Sequence, residues 1–169
     1  MNHPPDHSES ALRVHLQDEA ATERAGRLLA PGIAPGMRVY LSGELGSGKT
    51  TLVRALLRAL GVRERVKSPS YALVELYVVS SLHLYHFDFY RFRDPREWAD
   101  AGFDEYFDGS GVCLVEWPER AAGRLPQPDL EILLSLADTG RDAQFTAHSE
   151  AGARCLKSVS VLNSQEGSS

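Results

Sequence analysis

Lysine is scarce in this chain: of 169 residues only three are lysine, at positions 49, 67 and 157. Cysteine is scarcer, with Cys113 and Cys155 alone and at no metal-ligand spacing, which excludes a disulfide scaffold and a cysteine-based zinc site. Cys113 sits inside an apolar run and reads as a packed, reduced core residue. No apolar run approaches the roughly 20 residues of a membrane span. Residues 1–7 lack the basic-then-apolar order of a secretory signal, so the expected compartment is the cytoplasm. An excess of positive charge is missing as well: 18 Lys and Arg against 23 Asp and Glu leave a net −5, which argues against a globally basic nucleic-acid binder. Internal repeats and a second domain are absent from the pattern. The expected organisation is a disordered leader over residues 1–10, one ordered domain over 11–157, and a serine-rich tail over 158–169 that frays.

One of the three lysines falls in Gly43-Glu44-Leu45-Gly46-Ser47-Gly48-Lys49-Thr50-Thr51, which fits the phosphate-loop pattern G-x-x-x-x-G-K-[ST]. Glycine lets the backbone curl without a Cβ, so successive N–H groups can face phosphate oxygens. Lys49 then supplies positive charge to the β- and γ-phosphates, and the Thr50 hydroxyl is a Mg²⁺ ligand. The flanks agree with the motif. Residues 37–41 read as a strand, and Leu52, Val53, Leu56, Leu57 and Leu60 recur at helical spacing before Gly61. Residues Glu44, Leu45, Gly46, Ser47, Gly48, Lys49, Thr50 and Thr51 are therefore expected to bind the nucleotide.

The remainder of the chain reads as α/β. Leu12, Val14 and Leu16 alternate as in a half-buried strand, and Asp18 is an N-cap for a helix ending near Pro31. Residues 71–77 and 82–89 form strands of an antiparallel hairpin with Ser80-Ser81 as its turn. Asp94-Pro95 opens a short helix to Ala101, and a further turn covers residues 104–107. Val112-Cys113-Leu114-Val115 is a continuous apolar run, the pattern of a central parallel strand. Two more strands are expected over residues 130–136 and 143–148. Arg54, Arg58, Arg63, Arg65 and Lys67 against the single acid Glu64 make a basic segment. It fits an anion, RNA or acidic-protein contact, and equally a solvated helix end.

Hydrolysis or transfer needs more than a phosphate loop: a strand-end carboxylate for Mg²⁺ and a group that positions the nucleophile. Asp88 and Glu116 both end apolar strands and are the candidates for metal and catalysis together with Lys49; which of them touches the ion stays open. His86 reads either as a phosphate- or water-orienting residue or as a hydrogen-bonded core histidine. Arg91 and Arg93 are either charge-neutralising fingers or surface residues. Trp117 packs against substrate or partner, or fills the core.

At these residues the chain resembles the TsaE (YjeE) family of bacterial P-loop ATPases. The loop at 43–51 is similar to that family's G-[DE]-L-G-[AS]-G-K-T-T, and Lys67-Ser68-Pro69-Ser70-Tyr71 to its V-x-S-P-T-[FY]. His86-Phe87-Asp88-Phe89-Tyr90-Arg91 is similar to its H-x-D-x-Y-R, and Leu114-Val115-Glu116-Trp117-Pro118 to its hhEWP. The resemblance implies a single P-loop NTPase-like α/β domain with a mixed central sheet flanked by helices. It implies ATP and Mg²⁺ as cofactors, with Gly46 to Lys49 around the phosphates and Thr50 and Glu116 in the metal shell. Asp88 becomes the second essential carboxylate, and Ser68, Pro69 and Ser70 a nucleotide-sensing switch, with Trp117 as a partner candidate. Asp18, Glu19 and Thr22 fall where the family approaches the purine. Ser70 departs from the usual threonine; the hydroxyl survives and the β-branch does not. The implied role is ATP hydrolysis that drives or resets TsaB and TsaD in threonylcarbamoyladenosine synthesis at tRNA position 37, with tRNA contact indirect. Alternatives are a small-molecule or nucleoside kinase, for which residues 91–96 are the only arginine-rich lid, and a nucleotide-sensing protein without turnover. A GTPase lacks support, since N-K-x-D is absent.

Overall fold

A computed structural model describes residues 10–67, 69, 72–94 and 96–165 of the chain. Its centre is a mixed seven-stranded sheet in the order β1-β7-β6-β2-β5-β4-β3. In chain order these are β1 (Ala11–Leu16), β2 (Arg38–Gly43), β3 (Val74–Val79), β4 (Leu82–Asp88), β5 (Val112–Glu116), β6 (Leu130–Leu136) and β7 (Arg141–Ala147). The helices are α1 (Glu19–Leu29), α2 (Lys49–Leu60), α3 (Arg96–Ala101), α4 (Asp104–Asp108), α5 (Glu150–Val159) and α6 (Val161–Gln165). The α/β architecture expected from the sequence is the one observed.

Strands β6, β2, β5 and β4 run parallel to one another, and antiparallel pairs complete both sides: β3 on β4, and β7 then β1 beyond β6. All five residues of β5 are buried, as its unbroken apolar run requires of a strand covered on both faces. Alternation along β2 divides the core. Val39 and Leu41 join an aliphatic cluster with Ala25 and Leu29 of α1, Leu52 and Leu56 of α2, and Cys155 of α5. Tyr40, between them, joins an aromatic cluster on the other face, with Phe87, Phe89, Trp98, Phe103 and Phe107. There Trp98 and Phe103 meet edge to face at 5.3 Å, and the Trp98 indole N–H donates to Asp104 at 2.6 Å.

Local signals explain the element ends. The Asp18 carboxylate accepts from the Ala21 N–H at 2.8 Å and caps α1, while Asp94 accepts from the Arg96 N–H at 2.9 Å ahead of α3. The Ser80 turn is made with a positive φ of 54°. Of the basic segment, Arg58 folds back on Val62 and Glu64, donating to their carbonyls at 3.0 and 2.6 Å, so it secures the loop after α2.

Residues 158–165, expected to fray, are described as the end of α5, a turn at Ser160, and α6. Ser149 caps α5 by accepting from the Gly152 N–H at 3.1 Å, and its hydroxyl donates to Asp129 at 2.7 Å. Cys155, Leu156, Val159 and Leu162 then recur at helical spacing and are all buried in the aliphatic cluster. Removing residues 158–169 is expected to cost about 2–4 kcal/mol, from loss of the Val159 and Leu162 side chains. Urea unfolding of the full and shortened chains measures it, and coincident midpoints would return the tail to the surface.

Candidate nucleotide site

The loop between β2 and α2 borders a cleft of about 690 Å³ at the carboxyl ends of the parallel strands. Gly48 stands at the amino end of α2 with φ +105°, a left-handed conformation that suits glycine and disfavours residues with a Cβ. Leu45, Gly46, Gly48, Lys49, Thr50 and Thr51 line the cleft, whereas Glu44 and Ser47 are not part of its wall. Those two shape the loop from behind: the Ser47 N–H donates to the Glu44 carbonyl at 3.0 Å, and Ser47 is fully buried.

Lys49 is 4% exposed, and its ammonium donates to the carbonyls of Gly43 at 2.6 Å and Glu44 at 2.9 Å. The same ammonium lies 4.3 Å from the centroid of the Trp117 ring. Burial pulls the Lys49 pKa down from its ordinary value, opposed by the negative charges of Glu116, Glu119 and Asp88. Trp117 itself takes a positive φ of 58°, a backbone that costs a non-glycine residue on the order of 1–3 kcal/mol. Tyr90 stacks against it at 5.0 Å, and the Arg120 guanidinium lies 5.7 Å from each ring.

Asp88 and Glu116 are brought together by strand register, since β4 and β5 pair them directly. Glu116 has both oxygens engaged: Oε1 accepts from the Thr50 hydroxyl at 2.8 Å, and Oε2 meets His86 Nε2 at 2.6 Å. His86 is fully buried, which resolves its two readings: it holds a carboxylate inside the core. Its Nδ1 has no hydrogen-bond partner among the described residues, so Nε2 is the nitrogen that carries the proton to Glu116. One Asp88 oxygen accepts from the Tyr90 N–H at 2.9 Å. Burial raises the Asp88 pKa above the ordinary carboxylate value, with the charge of Glu116 adding to it and the Tyr90 hydrogen bond opposing it.

The uncommitted Asp88 oxygen and the Thr50 hydroxyl, with Glu116 behind it, are hard oxygen donors of the kind that suits Mg²⁺. Among the described residues no cluster of three or more His, Cys, Asp and Glu is built to cage a metal. Asp18, Glu19 and Thr22 line the opposite wall, with the Asp18 carboxylate already spent on the α1 cap. Arg91 lines the cleft and Arg93 does not. Ser68 and Ser70 lie outside the described residues; Pro69 is buried, and its carbonyl accepts from the Leu73 N–H at 2.8 Å. Sequence reasoning missed Gln17, Tyr90 and Arg141 in the wall. Tyr90 lay inside a quoted motif, but no local pattern marked the other two.

The model of the family described as threonylcarbamoyl adenosine biosynthesis protein TsaE matches residues 16–143. A tRNA threonylcarbamoyladenosine biosynthesis protein TsaE from Haemophilus influenzae is 36% identical over 155 residues, covering 89% of this chain and 98% of that protein. The protein of the same name from Bacillus subtilis is 42% identical over 137 residues, covering 80% and 85%. Among solved structures, Bacillus subtilis YdiB superposes with a TM-score of 0.75 at 32% identity, over 90% of this chain and 96% of that one. The chain belongs to the TsaE family.

Proposed function

We propose that this protein is the Mg²⁺-dependent ATPase component of tRNA threonylcarbamoyladenosine synthesis, hydrolysing ATP to drive or reset the TsaB–TsaD pair. The names of its relatives support the pathway. The observation that carries the hydrolytic part is the convergence of Lys49, Thr50, Asp88 and Glu116 on one cleft. A kinase reading would draw on Arg91 alone, since Arg93 is outside the wall.

In this reading the Gly48 N–H and the amino end of α2 receive the phosphates, with the helix dipole favouring their charge. Lys49 would exchange the Gly43 and Glu44 carbonyls for β- and γ-phosphate oxygens. Thr50 and Asp88 would hold Mg²⁺, with Glu116 acting through the Thr50 hydroxyl; the ion would neutralise negative charge on the phosphates. Asp88, with one oxygen on the Tyr90 N–H, would use its other oxygen to hold the ion or a water of its shell. Trp117, whose ring covers the Lys49 ammonium, is suited to transmit partner docking to the loop.

Phosphate release from ATP is expected to be slow for the chain alone and strongly stimulated by TsaB and TsaD together; equal rates in all mixtures would overturn the assignment. Phosphate transfer to added nucleosides would replace it by a kinase. Lys49→Ala and Glu116→Ala are each expected to lower the stimulated rate about a hundredfold or more. A rate within twofold of wild type for either removes that residue from the chemistry.

Asp88 also sets a pH signature. Its pKa is raised on folding, so between the unfolded and folded values the native state binds the extra proton and stability falls as pH rises. Ionised Asp88 is therefore a net cost at neutral pH. Asp88→Asn, which keeps an acceptor for the Tyr90 N–H, is expected to raise Tm by about 2–4 °C at pH 7. The gain should vanish below the ordinary aspartate range while hydrolysis is lost at every pH. A variant less stable than wild type at pH 7 would show that the carboxylate contributes net stability.

A further inference from the structure

The turn between β6 and β7 reaches over the phosphate loop. Gly140, with φ +72°, sits so close to the start of the chain that a Cβ there would lie 2.1 Å from the Leu16 carbonyl oxygen. The next residue, Arg141, pairs with Leu16 of β1 on one side and Leu136 of β6 on the other, so its backbone is fixed by two ladders. Its guanidinium then crosses to the loop. Nε donates to the Ser47 carbonyl at 3.1 Å and Nη2 to the Gly46 carbonyl at 3.0 Å, while Nη1 returns to the Gly140 carbonyl at 2.9 Å.

We infer that Arg141 is a positioning residue for nucleotide binding: it holds the Gly46 and Ser47 carbonyls so that the loop presents donors, and not acceptors, to the phosphates. The inference rests on the nucleotide-binding reading of the cleft. Each peptide unit is planar and trans, so a carbonyl fixed on one side fixes the N–H of the following residue on the other. The Ser47 carbonyl shares its unit with the Gly48 N–H, and the Gly46 carbonyl with the Ser47 N–H, which closes on Glu44. A glycine-rich loop left to itself has the freedom to turn either carbonyl toward an anion, where it would repel. Arg141 pairs both with a permanent cation that cannot lose its proton. Two parallel N–H groups on one planar fork are required for this, and a lysine ammonium offers no such fork. All three nitrogen positions are already engaged, which sets this arginine apart from a finger that touches the transferring phosphate.

The test uses the full chain as wild type, Arg141→Ala and Arg141→Lys. Calorimetric titration with Mg·ATP and with inorganic triphosphate is paired with amide hydrogen exchange in the absence of nucleotide. Both variants are expected to bind both ligands about tenfold or more weakly, the scale of one to two lost charge-assisted hydrogen bonds. Peptides covering residues 43–49 should exchange faster, with the β2, β5 and β6 peptides unchanged. Wild-type affinity in Arg141→Lys would mean that charge alone suffices and would overturn the inference, as would unaltered exchange over 43–49. Faster exchange throughout the sheet would likewise overturn it, in favour of a general structural role. If wild type itself binds neither ligand, the nucleotide reading fails, while the exchange experiment still decides whether Arg141 holds the loop.

Discussion

Glu116 can end a central strand, 2% exposed, only because each of its two oxygens has a donor. A carboxylate in that position without partners would be neutralised or would break the strand end. The two donors come from different layers. His86 rises from the neighbouring strand β4, and Thr50 from the first turn of α2 on the aliphatic face. The same short bonds therefore fix the height of α2 against the sheet and the alignment of β4 with β5. Asp88 inherits its place from that alignment, two residue pairs beyond the His86 level. The site's geometry is thus a by-product of satisfying one buried charge.

That dependence also explains why the loop tolerates strain nearby. Trp117, immediately after Glu116, holds a left-handed backbone yet donates its N–H to the Leu41 carbonyl at 3.2 Å. The turn throws its ring across the Lys49 ammonium, so the residue after the buried acid screens the buried base. A hydrocarbon and aromatic wall around an ammonium strengthens its attraction to any anion that replaces water there.

Much of this was legible in the chain itself. Period-two alternation marked β1, an apolar run marked β5, and the glycine-framed loop announced the strand before it and the helix after it. Asp88 and Glu116 were legible as candidates because each ends an apolar strand in a chain that also carries a phosphate loop. Their direct pairing was not, since register between strands 28 residues apart is decided by tertiary packing. His86 carried two readings until its partner was visible. Arg141 carried none: a lone arginine after Thr139-Gly140 looks like any turn residue, and its partners lie 94 and 95 positions away. The α5 helix was hidden for a simpler reason, because Ser158 and Ser160 interrupt the eye while Cys155, Val159 and Leu162 keep the helical period.

Strand β1 opens the ordered chain, yet its only sheet partner is β7, which begins at Arg141. During vectorial synthesis residues 11–16 must therefore wait, unpaired, until the last of the seven strands has left the ribosome. The parallel core of β2, β4 and β5 can condense meanwhile, loop included. The wall formed by Gln17, Asp18 and Glu19 cannot be set until the two ends of the chain meet. That side of the cleft is then completed only after β7 has been made.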